Sequence, residues 1–264
     1  MTVIDVGGCR LHYQETGDGP GVLLLAGTGA RGRTWHLHQV PALVAAGYRV
    51  VTFDARGLTP SDTPPVVTMP DLVADAAGLI EKLGLGPCRI AGSSMGARVA
   101  AELCLHRPDL VDRAVLMATF DRPSAFLSAM SRAERAVTGL PGEYLAVVRA
   151  AVNLSPRTLA DDRQTQDWLD VFQMPLGGDP GGTPSRLEAG QDDDRLQAYA
   201  EIGKPCLVLS FADDLIAPPP GGRRIAGGIR GARYAEIPDA GHYGYLEQPD
   251  RVNTALVAFF KEQL

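Results

Sequence analysis

Short β-rich apolar runs alternate with helical patterns along the first 120 residues, and that alternation restricts the fold more than any other property of the chain. Val22 to Leu25, Tyr48 to Phe53, Cys88 to Ala91 and Arg113 to Ala118 are strand-length runs rich in apolar and β-branched side chains. Strands of that kind are buried on both faces, and the crossover helices of a parallel sheet supply the cover. Helical patterns stand where those crossovers are needed. Trp35 to Ala46 stops near Gly47, Met69 to Leu83 has Asp71 near its start and Gly84 just past its end, and Met95 begins a helix running to about His106. Repeated strand, helix, strand units predict an α/β fold with a mainly parallel central sheet. Thr2 to Val6 and Arg10 to Gln14, turning at Gly7 and Gly8, read as an opening hairpin.

The rhythm breaks after Phe120. Between about Asp121 and Tyr199 the patterns are helical, at Leu127 to Val137, Tyr144 to Val152 and Gln166 to Phe172, and Gly177 to Pro184 reads as a hinge or loop. The strand pattern resumes at Cys206 to Phe211. A helix near Gly221 to Gly228, a strand from Ala232 to Ile237 and a closing helix from Pro249 to about Glu262 follow. The expected organisation is a core split into residues 1–120 and 200–264, with residues 121–199 inserted as a helical cap. A chain of 264 residues is long enough for one large domain of this kind.

A formal charge of −6 offers no attraction for nucleic acid or an anionic membrane. With no apolar stretch of membrane-spanning length and no basic leader before an apolar run, a soluble, cytoplasmic protein is expected. Cys9, Cys88, Cys104 and Cys206 lie in or beside apolar runs without metal-ligand spacing, which predicts buried free thiols. His36 and His38 join no metal motif, and the early glycine-rich loop has no Walker Gly-Lys pair, so neither a metal nor a Walker-type nucleotide site is expected.

The most chemically informative stretch is Gly92-Ser93-Ser94-Met95-Gly96, between a predicted strand and a predicted helix. It matches G-x-S-x-G in the setting where that pattern has a mechanical meaning. Small neighbours let the central serine sit on a tight turn, with its hydroxyl at the carboxyl edge of the sheet and helix N-terminal amides beside it. Ser94 is the candidate nucleophile, and Ser93 is expected only to keep the turn small.

Taken together and in order, Ala26-Gly27-Thr28-Gly29, Asp54-Ala55-Arg56-Gly57, the serine turn, Asp213-Asp214 followed by Pro218, and Gly241-His242 resemble the α/β-hydrolase superfamily, particularly its compact esterase-like and cofactor-free haloperoxidase-like members. The resemblance spans nearly the whole chain. It implies His242 as general base and Asp214 as the acid that orients it, with Asp213 and Asp121 as alternatives for the acid. It implies backbone N–H groups of Thr28 and Met95 as oxyanion donors, and a structural salt bridge or turn for Asp54 and Arg56. Trp35, Trp168 and Phe172 are candidate walls of a substrate pocket. Two positions depart from the family: Ala26 stands where many members have histidine, and Phe211 where many have glycine.

The implied chemistry is hydrolysis of a small or medium carboxylic ester or lactone through an acyl-enzyme. The same machinery serves a thioesterase, a carbon–carbon bond hydrolase or a haloperoxidase-like perhydrolase, and the scaffold can also host a non-hydrolytic cyclase or isomerase. The expected partner is a small apolar or amphipathic organic substrate, and monomer and homodimer are both open.

Overall fold

A computed structural model describes residues 2–136, 139–174, 186–188 and 194–262. The strands are β1 (Thr2–Val6), β2 (Cys9–Thr16), β3 (Gly21–Leu25), β4 (Arg49–Asp54), β5 (Val66–Thr68), β6 (Cys88–Ser93), β7 (Val111–Met117), β8 (Arg186–Glu188), β9 (Cys206–Phe211) and β10 (Arg233–Ile237). Eight of them form one sheet in the order β1-β2-β4-β3-β6-β7-β9-β10. β1 and β2 form the antiparallel hairpin, β2 pairs antiparallel with β4, and the remaining neighbours are parallel. The mainly parallel α/β architecture is as expected.

The first part of the core carries α1 (Gln39–Ala45), α2 (Met69–Lys82) and α3 (Met95–His106). The inserted region carries α4 (Ala125–Ala136), α5 (Gly142–Asn153), α6 (Pro156–Leu159), α7 (Asp162–Gln173) and α8 (Leu196–Tyr199). The second part carries α9 (Pro219–Gly228), α10 (Gly244–Glu247) and α11 (Pro249–Lys261).

The period-two alternation of the strands sorts their side chains onto the two faces of the sheet. Leu23, Ile90, Leu116 and Val208 point to one side, where Ala76, Leu79 and Ile80 of α2 and Ala97, Ala100 and Leu103 of α3 cover them. Val22, Leu24, Ala91, Val115 and Leu209 point to the other, against Leu43 of α1 and Leu256 and Phe260 of α11. Each fully buried aliphatic side chain contributes about 1.5–3 kcal/mol relative to exposure. α2 starts where the pattern places it because Thr68 and Asp71 form a reciprocal capping box, the Thr68 N–H donating to the Asp71 carboxylate at 2.9 Å. All four cysteines are free and buried. Burial pushes the Cys88 thiol up to about 12.

Three local expectations differ from what forms. Trp35 to Ala46 is not one helix: Gly32–His36 is a 3-10 turn, and α1 begins only at Gln39. That start puts Pro41 in the first turn, where its missing N–H has no intrahelical acceptor to lose. It also leaves Trp35 free to enter the core. Secondly, β5 and β8 pair in parallel as a small separate sheet, joining the core to the inserted region; three-residue strands leave too little pattern to read. Thirdly, short α6, α8 and α10 went unrecognised. The Gly177 to Pro184 loop and Val137 lie outside the described residues.

Within the cap, α5 packs on α7 around Ala146, Ala150, Leu154 and Phe172, with Trp168 beside them. Among the described residues, no helix is long and apolar enough to cross a membrane.

Candidate active site

β6 ends at Ser93 and α3 begins at Met95, so Ser94 alone makes the turn, with φ 55° and ψ −117°. A positive φ is costly for a residue with a Cβ and survives only where its surroundings hold it. Two close approaches hold it here. A Cβ on Gly92 would collide with the backbone of Gly96, and a Cβ on Gly96 would collide with the carbonyl of Leu25 at the end of β3. The Ser94 N–H also donates to the Met117 carbonyl of β7 at 2.9 Å. The two glycines of the motif therefore let strand, turn and helix interpenetrate.

Ser94 and His242 line one cavity of about 230 Å³, together with Thr28 and Met95. The Gly27 loop sits directly over Ser94, where a Cβ on Gly27 would come within 3.3 Å of the Ser94 Cβ. The loop is closed by an Ala30 N–H to Gly27 carbonyl bond of 3.1 Å. Met95 is the first residue of α3, whose N-terminal amides carry partial positive charge.

Asp214 follows β9 and His242 follows β10, and these neighbouring parallel strands deliver both loops to the same edge of the sheet. The Asp214 side chain is fully buried and that of His242 is 11% exposed. His242 Nδ1 lies 2.8 Å from Asp214 Oδ2. The other carboxylate oxygen, Oδ1, accepts the backbone N–H groups of Ile216 and Ala217, both at 2.8 Å. One oxygen is thus held by the backbone and the other faces the imidazole.

The alternative acids are placed elsewhere. Asp213 contributes its backbone N–H to the Ala240 carbonyl at 2.9 Å, tying the two loops together. Asp121 is buried and accepts from Nε and Nη2 of Arg224, at 2.8 and 2.7 Å. Burial raises the Asp121 pKa, but the Arg224 hydrogen bond, nearby backbone hydrogen bonds and the Arg224 charge together outweigh it and leave the carboxyl below its ordinary value.

Phe211, the residue in place of glycine, is fully buried, and the space for its ring comes from Gly244, where a Cβ would strike it. Trp35 is likewise fully buried; its ring lies 4.6 Å from that of Tyr245, and it is Tyr245 that lines the cavity. Trp168 and Phe172 stack with each other at 5.4 Å and pack on Tyr243, at 5.3 and 5.8 Å, and Tyr243 lines the cavity. The three aromatic candidates thus stand behind two tyrosines that sequence reasoning did not single out. Asp54 and Arg56 do not pair with each other: Asp54 meets buried His12 Nδ1 at 3.1 Å, and Arg56 meets Asp75 and Asp71. His36 Nε2 lies 2.9 Å from Thr52 Oγ1, with its pKa lowered by burial.

Two further residues matter to the site. Arg98, on α3 one turn beyond Ser94, is buried and lines the cavity. Its spacing of four from Ser94, on one helix face, is the signal that would have found it. Glu247, on α10, accepts the backbone N–H of Gly241 at 2.7 Å, next to His242, and the N–H of Ser155 at 2.8 Å from the inserted region. Among the described residues, no group of three or more His, Cys, Asp or Glu side chains has the arrangement of a metal site.

The model of the Alpha/beta hydrolase family matches residues 22–255. A protein of Mycobacterium tuberculosis named as a non-heme bromoperoxidase, BpoC, is 45% identical over 95% of this chain and 97% of its own length. Its crystal structure superposes with a TM-score of 0.86, over 98% of this chain and 96% of that one. A thermophilic esterase from Thermogutta terrifontis is 30% identical with a TM-score of 0.82, covering 98% and 96% of the two chains. A 2-hydroxy-6-oxononadienedioate/2-hydroxy-6-oxononatrienedioate hydrolase of Paraburkholderia xenovorans is 28% identical over 96% of this chain and 91% of its own.

Proposed function

The chain belongs to the alpha/beta hydrolase family, as an enzyme acting hydrolytically on a small organic substrate, and from that premise we propose that Ser94 is its nucleophile, His242 its general base and Asp214 the acid that orients the base. The observation that carries this reading is the division of labour on the Asp214 carboxylate: Oδ1 is held by two backbone N–H groups, and Oδ2 fixes His242 Nδ1. Nε2 is then the ring nitrogen available to take a proton on the cavity side.

In the proposed reaction Ser94 Oγ bonds to the substrate carbonyl carbon while His242 Nε2 accepts the hydroxyl proton. The carbonyl electron pair moves onto oxygen, facing the Thr28 and Met95 backbone N–H groups. The tetrahedral centre collapses, the leaving group departs with the proton from His242, and an acyl-enzyme remains. Water, deprotonated by the same imidazole, releases the acid and restores Ser94. None of these steps calls on an organic cofactor.

An ester or lactone of an organic acid fits these steps and the small cavity. A second reading is favoured by the relative named for a dioate: cleavage of a carbon–carbon bond beside a carbonyl, with the departing carbon taking the proton from His242. The bromoperoxidase name of the 45% relative brings in a third reading, with hydrogen peroxide as acceptor in place of water, which yields a peracid from the same acyl-enzyme.

Intact-protein mass after treatment with a small serine-reactive phosphonate tests the common step. One adduct is expected on the unaltered protein, none on Ser94→Ala, and slow formation on His242→Ala. Folded protein that takes no adduct would overturn the nucleophile. A panel of esters, lactones and β-diketone acids, with and without peroxide, then separates the bonds.

A further inference from the structure

We infer that Glu247 is a positioning residue for the His242 base, clipping the loop that carries it to the inserted cap. This rests on the reading of His242 as the base. The Glu247 carboxylate accepts three hydrogen bonds from two parts of the chain. Oε2 takes the Gly241 N–H at 2.7 Å, and Oε1 takes the Ser155 N–H at 2.8 Å and the Thr158 hydroxyl at 2.6 Å. Gly241 immediately precedes His242, while Ser155 and Thr158 are the N-cap and a member of α6 in the cap. Bonds from donors to an ionised acceptor are shorter and stronger than neutral ones, and here one side chain holds both segments with them.

The surroundings make the clip specific. Gly241 lies so close to the Asn153 carbonyl and the Leu154 backbone that a Cβ there would collide with both. The residue on the other side of the base, Tyr243, stacks its ring into the cap cluster of Trp168 and Phe172. The His242 backbone is therefore pinned to the cap from both sides, and its ring to Asp214 in front. Glu247 does not line the cavity and touches no reacting atom. Its effect passes through the register of the His242 backbone, so the cap segment from Asn153 to Leu159 acts as a fixed part of the catalytic frame rather than as a cover that moves independently of it.

Glutamine at this position keeps the shape but sets an amide donor against donors it cannot satisfy: the Gly241 N–H on one side, or the Ser155 N–H and Thr158 hydroxyl on the other. The test compares wild type, Glu247→Gln, Glu247→Ala and Thr158→Val by three measurements. These are the rate of Ser94 labelling by a neutral phosphonate across pH, the downfield proton resonance of the His242 Nδ1–H to Asp214 bond, and thermal melts. Misplacement of a reacting group on the ångström scale lowers rate by about 100-fold, so Glu247→Gln is expected to label about 10- to 100-fold more slowly, with a displaced pH profile and a shifted or broadened His242 resonance. Thr158→Val, which leaves Oε1 its Ser155 partner, is expected to fall between this and wild type, and it serves if both Glu247 variants fail to fold. A labelling rate per folded molecule and a His242 resonance equal to wild type in the folded variants would overturn the inference, even if melting temperature dropped. A wild type that takes no label at all overturns the nucleophile instead, and the His242 resonance still decides the role of Glu247.

Discussion

At the level of single residues, Asp214 carries the sharpest expectation. Asparagine at 214 can keep an oxygen toward Ile216 and Ala217, but it then turns an amide donor toward His242 Nδ1 and selects the tautomer whose Nε2 bears the proton. Asp214→Asn is expected to melt near wild type and to lose about 10⁴ in kcat, as such a tautomer reversal does elsewhere. Steady-state rates beside melts measure this. Gly96 is the opposite case, where shape rather than chemistry decides. Its missing Cβ makes room for the Leu25 carbonyl, a backbone atom that cannot swing aside as a side chain would. Gly96→Ala is expected to cost at least about 1–3 kcal/mol of stability in a urea titration, because overpacking against backbone forces the elbow or β3 to shift. The serine of the motif was readable because both glycines are required by contact, whereas Glu247 and Arg98 were not: a surface-like Glu and Arg look ordinary until the fold shows what they face.

Among elements, the loop after β4 is fastened to α2 by Arg56, whose guanidinium meets Asp75 at 2.6 Å and Asp71 at 3.0 Å. The Asp75 side chain is almost wholly buried, and burial raises its carboxyl pKa despite the Arg56 bond. Arg56→Met leaves that carboxyl without its cation, and the expected loss is about 3–5 kcal/mol at pH 8. A carboxyl with a raised folded-state pKa regains stability when it takes up a proton, so the loss should be smaller at about pH 5, and urea titrations at the two values measure the difference. The elements themselves were largely legible before the fold was seen. Cys206 to Phe211 and Thr2 to Val6 are strands with the expected bounds: every residue of the first is buried, which leaves a continuous apolar run, and the second stops at the Gly7-Gly8 turn. The 3-10 turn holding Trp35 and the three-residue β5 and β8 were not, since a proline two residues inside a helix and strands this short carry less signal than the tertiary contacts that set them. The meeting of Asp214 and His242 was legible through family resemblance rather than through periodicity: nothing local to either residue announces that β9 and β10 lie side by side.

For the molecule as a whole, several carboxylates are held below their ordinary range: Glu15 by Arg49, Asp71 by Thr68, Asp62 by Arg10, and Asp121 by Arg224 against the opposing effect of burial. A group depressed in the folded state stabilises it above the unfolded pKa and loses that contribution as pH falls through the folded value. Melting temperature is therefore expected to hold from about pH 8 to 5 and to fall steadily below about pH 4.5, with Asp75 as the one group in this set pulling the other way. Melts at constant ionic strength across that range measure it. The order of the sheet has one more consequence. β6, with Ser94 at its end, is complete long before the chain reaches β9 and β10, and β7 and β9, which flank the inserted cap in sequence, are neighbours in space. In chain order Ser94 comes first, then the cap, and Asp214, His242 and Glu247 follow it. On the proposed reading, a chain made only as far as the cap holds a serine hydroxyl with neither of its partners, and the site is complete only once β9 and β10 have joined the sheet.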